Sequence, residues 1–465
     1  MMQLLQKLHE PDRHNNHDFS SGSIPQTILK LSIPLMIGQF ISVLYNIVDR
    51  IYIGRISHAN SDALTGIGVT SPIITVVTAF SYLISTGSTP LCSIARGKQK
   101  NRDAEEIIGN SFALLLLTGL VLTVIGLLTK KPLLYLLGAS DATFPYANDY
   151  LSIYLLGNVF VMITLGMNGF INCQGFVGFG MATVIIGAIL NLILDPLFIF
   201  VFQLGVKGAA IATVISQLIS AIWVLRFLTG SRTLLKLRRC CMNLKFPLIR
   251  QILSLGLSGF IMQATNCMVQ IVCNVSLQKF GGDPYVGVMT IINSIREILS
   301  IPVNGLTQGA QPVLGYNYGA NKYSRVKSCI KVMSLISIGY TTIAWILTMI
   351  APQFLILLFD GSGELLDIGT HAIRIYFFGF CFMSLQFSGQ SVFTGLGKAK
   401  QAIFFSLLRK AIIVVPLTLL FPYIGNLGVH GVFLAEPISN LIGGTACFVT
   451  MLCTMWPKFS GGSLR

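Results

Sequence analysis

Apolar residues in this chain gather into twelve long runs separated by short polar stretches. They lie at roughly 28–53, 65–93, 106–129, 146–170, 182–203, 207–228, 251–277, 285–312, 329–350, 366–392, 400–422 and 429–453. Each run approaches the ~20 residues an α-helix needs to cross the hydrocarbon of a bilayer. The pattern predicts an all-α membrane protein of twelve transmembrane helices.

Composition agrees, with 53% hydrophobic and 11% charged residues, against roughly 25% charged in an ordinary soluble domain. The first 24 residues are mostly polar. No cleavable signal peptide is apparent, and the first apolar run is long enough to remain as a span. The ten cysteines include no CxxC pair and are expected to be free thiols.

The net charge of +15 suggests nucleic acid until its distribution is followed. Loops on one side of the alternating spans hold seventeen Lys and Arg, including Arg96 to Arg102, Arg226 to Arg250, Lys322 to Lys331, Lys398 and Lys400. The other side holds seven: Arg50, Arg55, Lys130, Lys131, Lys207, Lys279 and Arg374. That bias places both termini in the cytoplasm. Contact with anionic lipid accounts for the remaining charge, and no nucleic-acid partner is expected.

The chain repeats itself at an offset of 220–223 residues. STPLCSIARGKQ (88–99) aligns with AQPVLGYNYGAN (310–321), and GVKGAAIATVIS (205–216) with GVHGVFLAEPIS (428–439). The repeat divides the chain into a six-helix lobe at 1–229, a basic linker at 230–250 and a second six-helix lobe at 251–465. An even number of spans in each half gives the halves one orientation, related by an axis along the membrane normal. Two such bundles around a central cavity suit alternating access.

Four acids fall inside spans: Asp49, Asp195, Glu297 and Glu436. A carboxylate in hydrocarbon costs about 2.5–3.5 kcal/mol on insertion scales, so it persists where it works or is paired. Asp195 stands in NLILDPLFIFVF with Asn191 four residues earlier, on the same helix face. Pro196 leaves a carbonyl one turn back without its donor. The duplicated partners of Asp49 and Asp195 are Ile271 and Val415, so the first half alone carries this pair. The second half instead has Arg296, Glu297, Arg409, Lys410 and Glu436 in spans. Glu436 with Arg409 or Lys410 is one expected bridge; Glu297 or Glu436 facing a cationic substrate is the alternative.

SIPLMIGQFISVLYNIVDRIYIGRI (32–56), NLILDPLFIF (191–200), GVKGAAIATVIS (205–216) and AQPVLGYNYGA (310–320) resemble the multidrug and toxic compound extrusion (MATE) family, in its DinF-like prokaryotic branch. The resemblance implies two pseudo-symmetric six-helix bundles and a first-lobe site for coupling Na⁺ or H⁺. It carries over to Asp49, Asn191, Asp195 and Thr213, with Tyr150 and Asn168 as further members of a polar network. It implies export of lipophilic, often cationic small molecules, with no cofactor beyond the coupling ion; a monomer is expected.

Two carboxylates, an amide oxygen and a hydroxyl are hard donors suited to a small hard cation such as Na⁺. The same pair serves for a proton, since burial and mutual repulsion both favour holding one between them. Bland roles stand beside these: an interfacial position for Asp49, a bond between helices for Asn191, and a bond to its own backbone for Thr213. A lipid-linked oligosaccharide flippase is the alternative function, drawing on Arg296, Arg409 and Lys410. No HExxH, GxSxG, P-loop or metal-spaced Cys/His cluster points to an enzyme.

Overall fold

The computed structural model describes residues 18–54, 62–357, 363–425 and 427–459. The histidine-bearing N-terminal tail and Arg55 lie outside the described residues, as does the side chain of Arg50. Among the described residues the chain is helical throughout, with no strand.

Six helices form the first bundle. They are α1 (Ile24–Gly54), α2 (Asp62–Gly97), α3 (Asn101–Leu136), α4 (Phe144–Cys173), α5 (Val177–Pro196) and α6 (Gly205–Thr229). A π-helical turn, Leu197–Val201, follows α5 directly after Pro196. It continues the span past the position where proline removes a backbone donor.

The second bundle begins with α7 (Phe246–Gly281), α8 (Asp283–Gly319) and α9 (Tyr323–Ile350). Next come α10 (Glu364–Phe377) and α11 (Phe380–Gly395), two halves of one span bent by 44°. The bend falls at Gly379, where any side chain would collide with the Pro437 carbonyl. The last two spans are each interrupted by π-helix. Leu408–Val414 joins α12 (Ala399–Leu407) to α13 (Val415–Leu420), and Asn440–Gly444 joins α14 (Gly428–Ser439) to α15 (Thr445–Met455). Eleven rods long and apolar enough to cross a bilayer, together with the bent pair, account for all twelve predicted runs. All ten cysteines are free.

The two bundles meet along α1, α2, α7 and α8, in the half nearest the basic loops. Contacts there are backbone against backbone. A side-chain carbon at Gly97 would overlap the Tyr316 carbonyl, and one at Gly319 would overlap the Ile94 carbonyl. Gly87 meets Ile252 on α7, while Gly309 meets Ser32 on α1. Under the sequence repeat these are reciprocal pairs, so the seam is built twice around a pseudo-two-fold axis. The aligned glycines of 88–99 and 310–321 exist because the two copies of this segment press on each other.

A short segment before α1 locks the same end. Phe19 is buried, edge-on to Tyr316 at 5.6 Å. The Arg96 guanidinium lies 5.1 Å from the Phe19 ring and 5.3 Å from Tyr316. Asn317 and Arg325 donate to the Phe19 carbonyl at 3.0 and 3.2 Å. Burial pushes the Asp18 carboxyl up, but bonds from the Ser20 N–H and hydroxyl and from the Tyr316 hydroxyl outweigh it and hold it below the usual carboxylate range.

Candidate cation site and a second charged centre

Asp195 sits in the last turn of α5, 1% exposed. The i, i+4 spacing of α5 brings Asn191 beneath it, and Asn191 Nδ2 donates to Asp195 Oδ1 at 3.1 Å. The same amide reaches Thr213 Oγ1 on α6 at 3.4 Å. Thr213 donates in turn to the Ala209 carbonyl one turn back, at 3.0 Å, and the Tyr150 hydroxyl is within bonding reach of it.

Asp49, near the far end of α1, brings its carboxyl within hydrogen-bond reach of Asp195. Asp195 Oδ2 is buried with no donor on it. Two carboxyl groups in such contact are stable only with a proton or a cation between them. The donor set of two carboxylates, a hydroxyl and an amide therefore fits Na⁺ or H⁺, although Asn191 here turns its NH₂, not its oxygen, to the acid. To ligate Na⁺ through that oxygen the amide would have to rotate.

The structure brings Asp49, Asn191, Asp195, Thr213 and Tyr150 together and leaves Asn168 apart. Asn168 lies eighteen residues beyond Tyr150 on α4, about 27 Å along the axis at 1.5 Å per residue. It donates to the Gly180 carbonyl at 3.2 Å, at the basic end. Sequence reading missed Tyr45, four residues before Asp49 and within electrostatic reach of both acids. It also missed Tyr154, stacked on Tyr150 at 6.3 Å. The i, i+4 spacing of each tyrosine from a named residue was the available signal.

The second bundle holds a charged centre of opposite composition. Glu436 on α14 is 5% exposed. Lys410 Nζ approaches its two oxygens at 2.9 and 3.2 Å, and Arg409 Nη1 donates to Oε1 at 3.1 Å. Arg409 also donates to Asn440 Oδ1 at 2.6 Å, a residue one turn past Glu436 that the sequence did not single out. Arg296 on α8 stands 3.9 Å from Glu436 Oε1. Glu297 is exposed and takes no part in these pairs. Glu436→Gln would take from buried Arg409 and Lys410 the carboxylate they share, a broken buried pair that costs about 3–5 kcal/mol. The purified variant is expected to melt well below the parent; equal melting temperatures would show that the carboxylate is dispensable to the fold.

The MatE family model matches the chain in two stretches, residues 34–197 and 259–420, one in each bundle. The multidrug export protein MepA of Staphylococcus haemolyticus is 25% identical over 431 residues, covering 92% of this chain and 92% of its own. A MOP superfamily transporter from Pyrococcus furiosus superposes with a TM-score of 0.90 at 21% identity, over 97% of this chain and 100% of that one. An outward-facing multidrug resistance MATE family transporter does so with a TM-score of 0.89 at 21% identity, over 97% and 99%. At such identities the structural likeness speaks for the fold.

Proposed function

The chain belongs to the MatE family, a family of transporters and not of enzymes, and from that premise we propose that it is a secondary active multidrug exporter driven by Na⁺ or H⁺. Its substrates are lipophilic small molecules, often cationic. A monomer is the working unit, set in the inner membrane of a prokaryote with both termini in the cytoplasm. The relatives named for multidrug export and the apolar spans support efflux across a membrane.

Coupling rests on one observation: a buried Asp195 oxygen without a donor, facing the carboxyl of Asp49. An ion moves a conformational equilibrium only through its different affinity for the two states. Asp49 rides on α1, which also forms the seam with α8, while Asp195 rides on α5 beside a proline and a π-turn. Binding an ion between them ties a seam helix to the interior of its own bundle. With the bundles closed at the basic, cytoplasmic end, this is the state open outward, where the ion enters.

The test is dye transport in sealed vesicles under a Na⁺ gradient alone and then a pH gradient alone. One of the two is expected to drive transport. Failure of both, with protein present and oriented, refutes the coupling.

A further inference from the structure

The charged centre of the second bundle has more positive charge than its fold consumes. Glu436 is already satisfied by Lys410 and Arg409, and Arg409 has a second acceptor in Asn440. Arg296 contributes only a 3.9 Å approach, beyond hydrogen-bond length. Its Nε is buried without an acceptor, while the side chain as a whole is 32% exposed. Lys410 can shed its proton in this buried setting, so the excess that stays is that of two guanidiniums, Arg296 and Arg409, over the buried carboxylate of Glu436. Guanidinium groups remain charged at any physiological pH, so the excess is not removed by losing a proton from Arg296 or Arg409.

The position of Arg296 makes that surplus reachable. Helices α7 and α8 make most of the second bundle's contact with the first, and they touch each other only sparsely. Both carry polar residues one turn apart, Gln263, Asn266 and Gln270 on α7 and Ser294 and Glu297 on α8. A polar stripe on a spanning helix belongs against water or protein, not lipid. Such stripes therefore face water or protein and not lipid, and Arg296, beside Glu297 on α8, keeps a part-exposed side chain. Two π-helical stretches, Leu408–Val414 and Asn440–Gly444, hold Arg409, Lys410 and Asn440. Such widened turns are frequent at functional sites.

We infer that the second bundle contains an oxyanion subsite at Arg296, which takes the carboxylate or phosphate group of a transported amphiphile. The planar fork of an arginine with free N–H groups suits such a group, which it can grip with two parallel bonds. This rests on the transporter reading and narrows its substrates: amphiphiles carrying an anionic group beside a cationic or apolar body are preferred to plain cations.

The experiment is fluorescence anisotropy on the purified full-length protein, with no gradient applied. Its probes are rhodamine 110, which carries a free carboxylate, and rhodamine 123, its methyl ester. The carboxylate form is expected to bind about tenfold tighter, the equivalent of 1.4 kcal/mol. Arg296→Gln should erase that preference and leave ester affinity unchanged, while Arg296→Lys, keeping the charge without the fork, should fall between. Equal affinities in the parent protein, or a preference that survives Arg296→Gln, overturn the proposal. The preference is expected to persist in phosphatidylcholine nanodiscs with or without phosphatidylglycerol. Its loss when the anionic lipid is present would give the guanidinium to a lipid headgroup and overturn the substrate assignment. Failure here leaves gradient-driven efflux untouched, and failure of efflux leaves this preference untouched, so the two readings fall separately.

Discussion

Asp195→Asn is expected to abolish gradient-driven transport while the protein still inserts at the parent level. The substitution keeps size, and Asn191 can still donate to the new amide oxygen across the 3.1 Å contact. What disappears is the charge facing Asp49. A lone carboxyl there has no partner acid with which to share a cation, so ion occupancy no longer distinguishes the two states. Dye efflux in sealed vesicles should drop at least about tenfold, the equivalent of 1.4 kcal/mol in the coupling free energy. Efflux at the parent rate from a variant present in equal amount would end the coupling reading, whichever ion is used.

Gly256→Leu is expected to be nearly as severe by a different route. A side-chain carbon at Gly256 overlaps the Leu83 carbonyl and crowds the Gly87 amide. Neither is a flexible group that can swing aside, so α2 and α7 must separate. Overpacking of a tight contact typically costs about 1–3 kcal/mol, paid here only in the state closed at the basic end. The population should shift toward the state open at that end, with transport falling in proportion. Spin labels at Lys100→Cys and Lys322→Cys, in a background where the exposed Cys240 and Cys453 are replaced by serine, report the separation. An unchanged distance together with normal efflux would show that the seam tolerates the wedge.

The spans were legible because the bilayer demands a minimum apolar length and every run met it. The acids were legible for a related reason, since a carboxylate among Leu, Ile and Phe needs a purpose. Asn168 shows the limit of motif transfer. It shares a helix with Tyr150, but simple rise per residue already puts five turns between them. Tyr45 shows a signal present and unused, one turn from Asp49. The partner of Arg296 was beyond reach, because Glu436 lies 140 positions away and only the tertiary fold unites them. The bend between α10 and α11 was equally hidden: Gly379 yields there to a carbonyl on another span.

The reciprocal glycine seam has a consequence for ancestry. A half-length chain bearing both of its faces would fit its own twin with the same contacts, side by side and pointing the same way. The join that now holds one polypeptide together is thus the join of a parallel pair. Once two such copies were fused, only one had to keep its carboxylates, and the other was released to carry guanidiniums instead.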